Sequence, residues 1–121
     1  MARLATVGAG GRPHVVPICF ALFGDTLYFA VDSKPKRTRD LQRIRNLAAR
    51  PAVAILVDHY SDDWSELWWV RADGSAHVVG DPVEADRAIG LLTARYPAYT
   101  LARPAGPVVA VAIERLSGWS A

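Results

Sequence analysis

The stretch from Pro13 to Asp32, PHVVPICFALFGDTLYFAVD, decides the fold class. The turn pair Gly24-Asp25 separates an apolar run that ends at Leu22 from a second run, Thr26 to Asp32. Residues of different polarity alternate in the second run, which is typical of a strand with one face in a core. Two such runs joined by a turn predict antiparallel neighbours, so the sequence indicates a β-rich fold.

Further strands and two helices are predicted on either side of this stretch. The predicted strands cover Ala2–Val7, Pro13–Leu22, Thr26–Asp32, Ala52–Asp58, Leu67–Val79 and Val108–Ile113. One helix runs from about Arg39 to Pro51, a second is opened by Asp81-Pro82, and a loop follows at Ala98–Pro107. The apolar face of the second helix consists of Val83, Ala85, Ile89, Leu92 and Tyr96. About six or seven strands with only two helices favour a mainly β, antiparallel barrel with helical plugs.

Length and composition limit the class of protein. The 121 residues predict a single domain over residues 1–121, and 51% hydrophobic with 21% charged residues predicts a folded core. No apolar run is long enough to cross a bilayer and the first residues lack a signal-peptide pattern, so we expect a cytoplasmic protein without a membrane partner. The single cysteine, Cys19, is interpreted as a small hydrophobe in a strand.

Patterns that carry catalysis by side chains are missing from the sequence. His14, His59 and His77 stand in separate segments without metal-ligand spacing, so we expect no metal site. Ser75 lacks the glycine pattern of a nucleophile elbow, so we predict no catalytic side chain. Around Tyr60, four acidic residues either bind a cation weakly or, as we prefer, include the cap of a short helical turn at residues 61–63.

A basic segment is the strongest anomaly in the sequence. Between Lys34 and Arg50 seven cationic residues stand against one acid, Asp40. The run Lys34-Pro35-Lys36-Arg37-Thr38 leaves a strand and enters a helix, which brings cations, a hydroxyl and free helix N–H groups to one place. The run therefore predicts a phosphate site, with a solvated basic face as the alternative. A nucleic-acid surface is disfavoured because no aromatic residues are interleaved with the cations.

The sequence contains four tryptophans, which is many for a chain of 121 residues. Trp68 and Trp69 are adjacent in a predicted strand, so their side chains leave on opposite faces and cannot both fill one core. One of them is left for a subunit interface or a planar ligand.

Several ordered motifs give the chain a family resemblance. Residues 11–20, GRPHVVPICF, residues 24–37, GDTLYFAVDSKPKR, and Arg45-Asn46-Leu47 with Pro51 resemble the pyridoxamine 5'-phosphate oxidase-like split β-barrel superfamily. The later runs DHYSDDW, residues 58–64, and LWWVRADG, residues 67–74, resemble its deazaflavin (coenzyme F420)-dependent branch in actinobacteria. The resemblance covers nearly the whole chain. Relatives usually carry a helix before the first strand, so the start is either naturally short or truncated.

The resemblance implies a homodimer with two cofactor sites at the subunit interface. Phosphate would be held by Lys34, Lys36, Arg37 and Thr38. The ring would lie against His14, Val16, Pro17, Ala30, Val31 and Trp69. The resemblance also makes Asp73-Gly74 a bend within one long strand, whereas local turn chemistry alone would predict a hairpin there.

Charge favours F420 over FMN as the cofactor. F420 adds a lactyl phosphate and a polyglutamate tail, and Arg39 and Arg43 stand beside the phosphate residues to meet those extra charges. The predicted function is hydride transfer between reduced F420 and a small unsaturated or quinone-like substrate, for which the protein need only bind and orient the cofactor. The alternatives are an FMN-dependent oxidoreductase of the same fold and a non-catalytic carrier of flavin, F420 or haem.

Overall fold

The computed structural model describes residues 1–31, 44–104 and 106–121. Residues 32–43 include Lys34, Lys36, Arg37, Thr38 and Arg43, and the predicted phosphate site therefore lies outside the described residues. The start of the first predicted helix lies outside them as well.

Seven antiparallel strands form one sheet in the described part of the chain. The strands are β1 (Ala2–Val7), β2 (Pro13–Ile18), β3 (Ala21–Phe23), β4 (Thr26–Ala30), β5 (Ala52–His59), β6 (Trp68–Val78) and β7 (Val108–Ser120). The helices are α1 (residues 44–49), α2 (Pro82–Arg95) and α3 (Ala98–Leu101), and a 3₁₀ turn covers Trp64–Glu66. The mainly β architecture predicted from the sequence is confirmed. Among the described residues, no helix is both long and apolar enough to cross a membrane.

The sheet is closed into a barrel at residues 19–20. Its strand order is β2-β1-β5-β6-β7-β4-β3, so β2 and β3 lie at opposite ends. Only two residues join these strands, and a chain this short spans roughly 10 Å between Ile18 and Ala21. The sheet must therefore curl until its two edges approach each other.

The prediction of one strand over Pro13–Leu22 was wrong, because the chain changes partners at Phe20. β2 pairs with β1, whereas β3 pairs with β4, which pairs with β7 and not with β2. At this break in the strand, side chains at the end of α2 form hydrogen bonds with the backbone of Phe20. Phe20 N–H donates to the Tyr96 hydroxyl at 3.3 Å, and Arg95 Nη1 donates to the Phe20 carbonyl at 2.9 Å. The Arg95 guanidinium also lies 4.2 Å from the centre of the Phe20 ring.

Two apolar clusters divide the sheet between its faces. The inner cluster fills the barrel and includes Leu4, Phe29, Ile55, Val109 and Val111, each no more than 2% exposed. The second cluster packs Tyr28 and Ala110, from the outer face of β4 and β7, against Ala88 and Ile89 of α2. α2 therefore lies against β3, β4 and the first half of β7.

A hydrogen bond at the second cluster fixes α2 to the sheet. The buried Tyr28 hydroxyl donates to Glu84 Oε2 at 2.6 Å. Burial raises the pKa of Tyr28 above its ordinary value. The Glu84 carboxylate raises it further, because it accepts a hydrogen bond from the protonated phenol and its negative charge disfavours the phenolate. The phenol is therefore held neutral where it joins the helix to β4.

β6 is one continuous strand through Asp73-Gly74, as the family resemblance implied, so the hairpin suggested by local turn chemistry was wrong. The register against β7 shifts between Asp73, opposite Arg115, and Gly74, opposite Ile113. Glu114 is therefore the extra residue of a β-bulge in β7, and β6 continues past it without ending. β7 also continues to Ser120, instead of ending at Ile113 as the sequence predicted, because the first half of β6, from Trp68 to Asp73, pairs with this extension.

The predicted start of α2 is confirmed, with Pro82 in first position and Asp81 Oδ1 accepting the Val83 N–H at 3.0 Å. The predicted apolar face was wrong at Val83, which is 72% exposed. Residues Ala98–Leu101 form a short helix where a loop was predicted. The cap interpretation of residues 61–63 is confirmed: Asp63 Oδ1 accepts the Ser65 N–H at 3.0 Å, and the hydrogen bonds from Ser65 lower the pKa of Asp63.

Candidate functional site

A concave cavity of about 550 Å³ lies on the outer face of the sheet, where α2 does not reach. We call it the outer-face cavity. It is lined by Arg3, Ala5, Val15, Ala54, Leu56, Asp58, His59, Tyr60, Leu67, Trp68, Trp69, Arg71 and Trp119. Its volume is within the range of sites that hold small molecules and cofactors.

Strand register brings the lining residues together from five strands. Trp69 of β6 lies opposite Asp58 of β5 on one side and Trp119 of β7 on the other. In the next row, Leu56 stands between Arg3 and Arg71. Residues directly opposite each other share a face of the sheet, so these rows form one continuous surface.

Small side chains give this surface its concave shape. Ala5 of β1 lies opposite Ala54 of β5 and Val15 of β2. These two neighbouring alanines leave space that larger side chains would fill. The cross-strand partners Trp69 and Trp119 form one side of the cavity. The result is an apolar floor with an aromatic wall, which suits a flat apolar ligand.

Both arginines of the cavity have carboxylate partners. Arg3 Nη1 lies 2.9 Å from Asp58 Oδ1, and Arg71 Nε lies 3.2 Å from Asp73 Oδ1. The four side chains are between 35% and 59% exposed, so the attraction is screened by water and each pair contributes little to stability. In the site, the two ion pairs neutralise the positive charges of Arg3 and Arg71.

A histidine and two aromatic residues form the rim. The rings of His59 and Trp68 are stacked with centroids 6.3 Å apart, and His59 Nε2 lies 3.9 Å from Glu66 Oε1. Tyr60 beside them is 74% exposed. Trp68 and Trp69 leave β6 in opposite directions, as predicted, yet both border the cavity because the strand begins at its rim.

The residues predicted to contact a cofactor ring are distributed over different parts of the barrel. Trp69 lines the outer-face cavity, and Pro17, opposite Arg3, belongs to the same face of the sheet. His14 and Val16 lie on the other face of β2, opposite Thr6 and Leu4, and Val15 between them lines the cavity instead.

Ala30 and Val31 lie at the end of β4, away from the outer-face cavity. Ala30 packs against the cluster beneath α2. Val31 is 3% exposed, and its N–H donates to the Pro107 carbonyl at 2.9 Å. These two residues remain predictions for the ring site, as do His14, Val16 and Pro17.

The ring nitrogen Nδ1 of His14 is buried without a hydrogen-bond partner. Across the strand pair lies Thr6, whose buried hydroxyl accepts a hydrogen bond of 3.4 Å from the buried amide of Asn46. The inner face of β1 and β2 is therefore polar at its α1 end. An unpaired buried nitrogen costs roughly 1–3 kcal/mol, and a bound group that hydrogen-bonds to it would offset that cost.

Sequence reasoning missed several residues of the cavity, above all Arg3, Leu56, Asp58, Arg71 and Trp119 as one group. The excess of tryptophans was the available signal for Trp119. For Arg3 no local signal exists, because the Arg3–Asp58 contact joins residues that are 55 positions apart. Arg71 and Asp73 are two positions apart in a strand and share a face, which was a local signal for their contact.

A second, smaller cavity of about 310 Å³ opens at one end of the barrel, on the inner side of β5 and β6. Its walls are almost wholly apolar and include Leu27, Ile55 and Ala72 of the core. Asp25 is its one acidic lining residue.

Comparison with known proteins decides the family. Residues 1–120 match the family model described as pyridoxamine 5'-phosphate oxidase. The chain belongs to this family. No curated protein matches the sequence.

Solved structures share the split-barrel fold of the pyridoxamine 5'-phosphate oxidase family with this chain. A conserved hypothetical protein from Mycobacterium tuberculosis gives a TM-score of 0.78 at 22% identity, covering 98% of this chain and 76% of that one. An FAD-binding protein from Mesorhizobium loti gives 0.72 at 23% identity, covering 97% and 83%. The haem storage protein HutZ from Vibrio cholerae gives 0.73 at 19% identity, covering 98% and 84%. At these identities the likeness shows the fold alone.

Proposed function

We propose that this protein is an F420-dependent oxidoreductase that works as a homodimer, with cofactor sites at the subunit interface. F420, when bound, supplies or accepts the hydride. The observation that carries the proposal is the outer-face cavity, an apolar and aromatic surface on a fold whose structural neighbours include an FAD-binding protein. A flat ring system fits such a surface, and hydride chemistry on the cofactor requires no catalytic side chain from the protein.

The chain offers a binding group for each part of the cofactor. The sequence assigns the phosphate to Lys34, Lys36, Arg37 and Thr38, and the tail carboxylates to Arg39 and Arg43. Trp69, with Pro17 on the same face of the sheet, would contact the ring from the cavity. His14, Val16, Ala30 and Val31 lie outside this cavity, so in the proposed dimer they would contact the ring from the other subunit. The unpaired Nδ1 of His14 fits a polar cofactor, because a hydrogen bond from that cofactor would satisfy it.

The choice of F420 over FMN rests on charge. FMN carries only its phosphate and would leave much of the basic segment without a counter-charge, whereas the F420 tail adds several carboxylates. Each exposed arginine that meets a carboxylate adds a modest gain, and several together separate the two affinities.

Titration of the purified protein with F420 and with FMN, followed by fluorescence, tests the proposal. We expect F420 to bind at least tenfold more tightly than FMN at low salt, and the difference to shrink as salt is raised. Equally weak, millimolar binding of both would contradict a dedicated deazaflavin site. If FMN binds more tightly than F420, the cofactor assigned to the site would be FMN, and the proposed location of the site would stand.

Haem carriage is the second candidate, and His59 favours it. His59 stands at the rim of the cavity with Glu66 near Nε2, which leaves Nδ1 available to an iron. We expect a haem carrier to show a Soret band that His59→Ala shifts and weakens. The control His77→Ala changes an exposed histidine of β6 outside the cavity. The same spectrum in all three proteins would exclude His59 as an iron ligand.

A further inference from the structure

The geometry points to the outer-face cavity as the substrate site of the proposed oxidoreductase, built for an uncharged planar aromatic molecule by Asp58 and Asp73. The inference rests on the proposed function, because it names the class of substrate that would meet the cofactor ring. Its basis is the pairing of charges around the cavity.

The shape of the outer-face cavity suits a flat molecule. Trp69 and Trp119 are direct cross-strand partners on the same face, and the apolar floor of Ala5, Ala54 and Leu56 lies beside them. Trp119 is 50% exposed and offers a large apolar surface to whatever enters. A cavity of about 550 Å³ is larger than one flat ring system needs, so a molecule of two fused rings can lie in it beside the cofactor ring at Trp69.

The charges around the outer-face cavity are paired. Arg3 and Arg71 flank Leu56 and would attract an anionic substrate if they were unpaired. Each instead faces a carboxylate, Asp58 at 2.9 Å and Asp73 at 3.2 Å. An anion would have to displace one of these carboxylates, and a cation would have to displace a guanidinium. An uncharged ring leaves both ion pairs intact, so the two aspartates select against charged ligands.

Calorimetric titration of the full chain with two matched probes tests this selection. 1,4-Naphthoquinone is planar and uncharged, and 1,4-naphthoquinone-2-sulfonate adds one negative charge to nearly the same shape. We expect the uncharged compound to bind at least fivefold more tightly. Trp119→Ala should weaken that binding roughly three- to tenfold through loss of the aromatic contact. Trp64→Ala, which removes an exposed tryptophan outside the cavity, should leave it unchanged.

Asp58→Asn provides the sharper test, because it frees Arg3 without changing the size of the side chain. Sulfonate binding should strengthen about three- to fivefold, because the freed Arg3 is exposed and partly screened, while binding of the uncharged probe stays within twofold of wild type. The control Asp62→Asn changes an exposed aspartate outside the cavity and should alter neither affinity. Unchanged sulfonate binding in Asp58→Asn would overturn the role of the aspartate.

Two further outcomes separate this inference from the proposed function. Failure of both probes to bind wild type, including the case in which a second copy of the chain covers the cavity, would overturn the inference even if F420 binds. Selective binding of the uncharged probe in a protein that does not bind F420 would support the ligand class and refute the F420 function.

Discussion

Replacing Gly74 with alanine is expected to lower the free energy of unfolding by about 3 kcal/mol. Gly74 lies in β6 beside the bulge of β7, which approaches so closely that an added Cβ would lie 2.2 Å from the Ala112 carbonyl oxygen and 3.1 Å from its carbon. Both atoms belong to the backbone of the partner strand, so no side-chain rotation relieves the clash. Unfolding by urea, followed by circular dichroism, measures the loss.

Gly80→Ala is the matched control for this prediction. No atom lies within 4 Å of a Cβ built on Gly80, which precedes α2 in an exposed connection. Its free energy of unfolding should stay within about 0.5 kcal/mol of wild type. A Gly74 variant as stable as the Gly80 variant would show that β6 and β7 can separate at the bulge without cost, contrary to the pairing described above.

Replacing Lys36 with alanine is expected to weaken F420 binding by about 1.5–3 kcal/mol, which is roughly a 10- to 150-fold rise in Kd. The reason is the loss of one charge-assisted hydrogen bond to the cofactor phosphate. The phosphate is common to F420 and FMN, so the affinity for FMN should fall by a similar factor. Fluorescence titration of the variant measures both constants.

Arg103→Ala controls for the loss of one positive charge. Arg103 lies far along the chain from the basic segment and approaches Asp86 at 3.9 Å on the surface. Its removal should change the Kd for F420 less than twofold at physiological salt. An unchanged Kd in Lys36→Ala would place the phosphate elsewhere on the protein.

Local pattern was enough to predict much of the fold. Alternation predicted β4, the apolar and β-branched content of residues 52–58 predicted β5, and the Asp81-Pro82 pair predicted the start of α2. These features depend on neighbours in sequence. The break at Phe20 was missed because its causes, Tyr96 and Arg95, come from a helix more than 70 residues away. At Gly74, turn chemistry indicated a hairpin. The structure shows instead that glycine is needed there because the backbone of β7 leaves no room for a Cβ.

The candidate site was less accessible from the sequence than the fold. Adjacent tryptophans at 68 and 69 predicted that one would lack a place in the core, and the structure places Trp69 in the outer-face cavity. Its partner Trp119 depends on the register of β6 and β7, which a bulge shifts by one residue. The Arg3–Asp58 ion pair likewise depends on the pairing of β1 with β5, which is a long-range property. The Arg71–Asp73 pair lies within β6, where residues two positions apart share a face, and was accessible from the local sequence.

A crystal structure of the protein with F420 bound tests the central claim most directly. The proposed function predicts a dimer related by a twofold axis, with the cofactor phosphate on Lys34, Lys36, Arg37 and Thr38 and the deazaflavin ring within contact of Trp69. A phosphate bound away from these four residues, or a ring that does not reach the outer-face cavity, would contradict it.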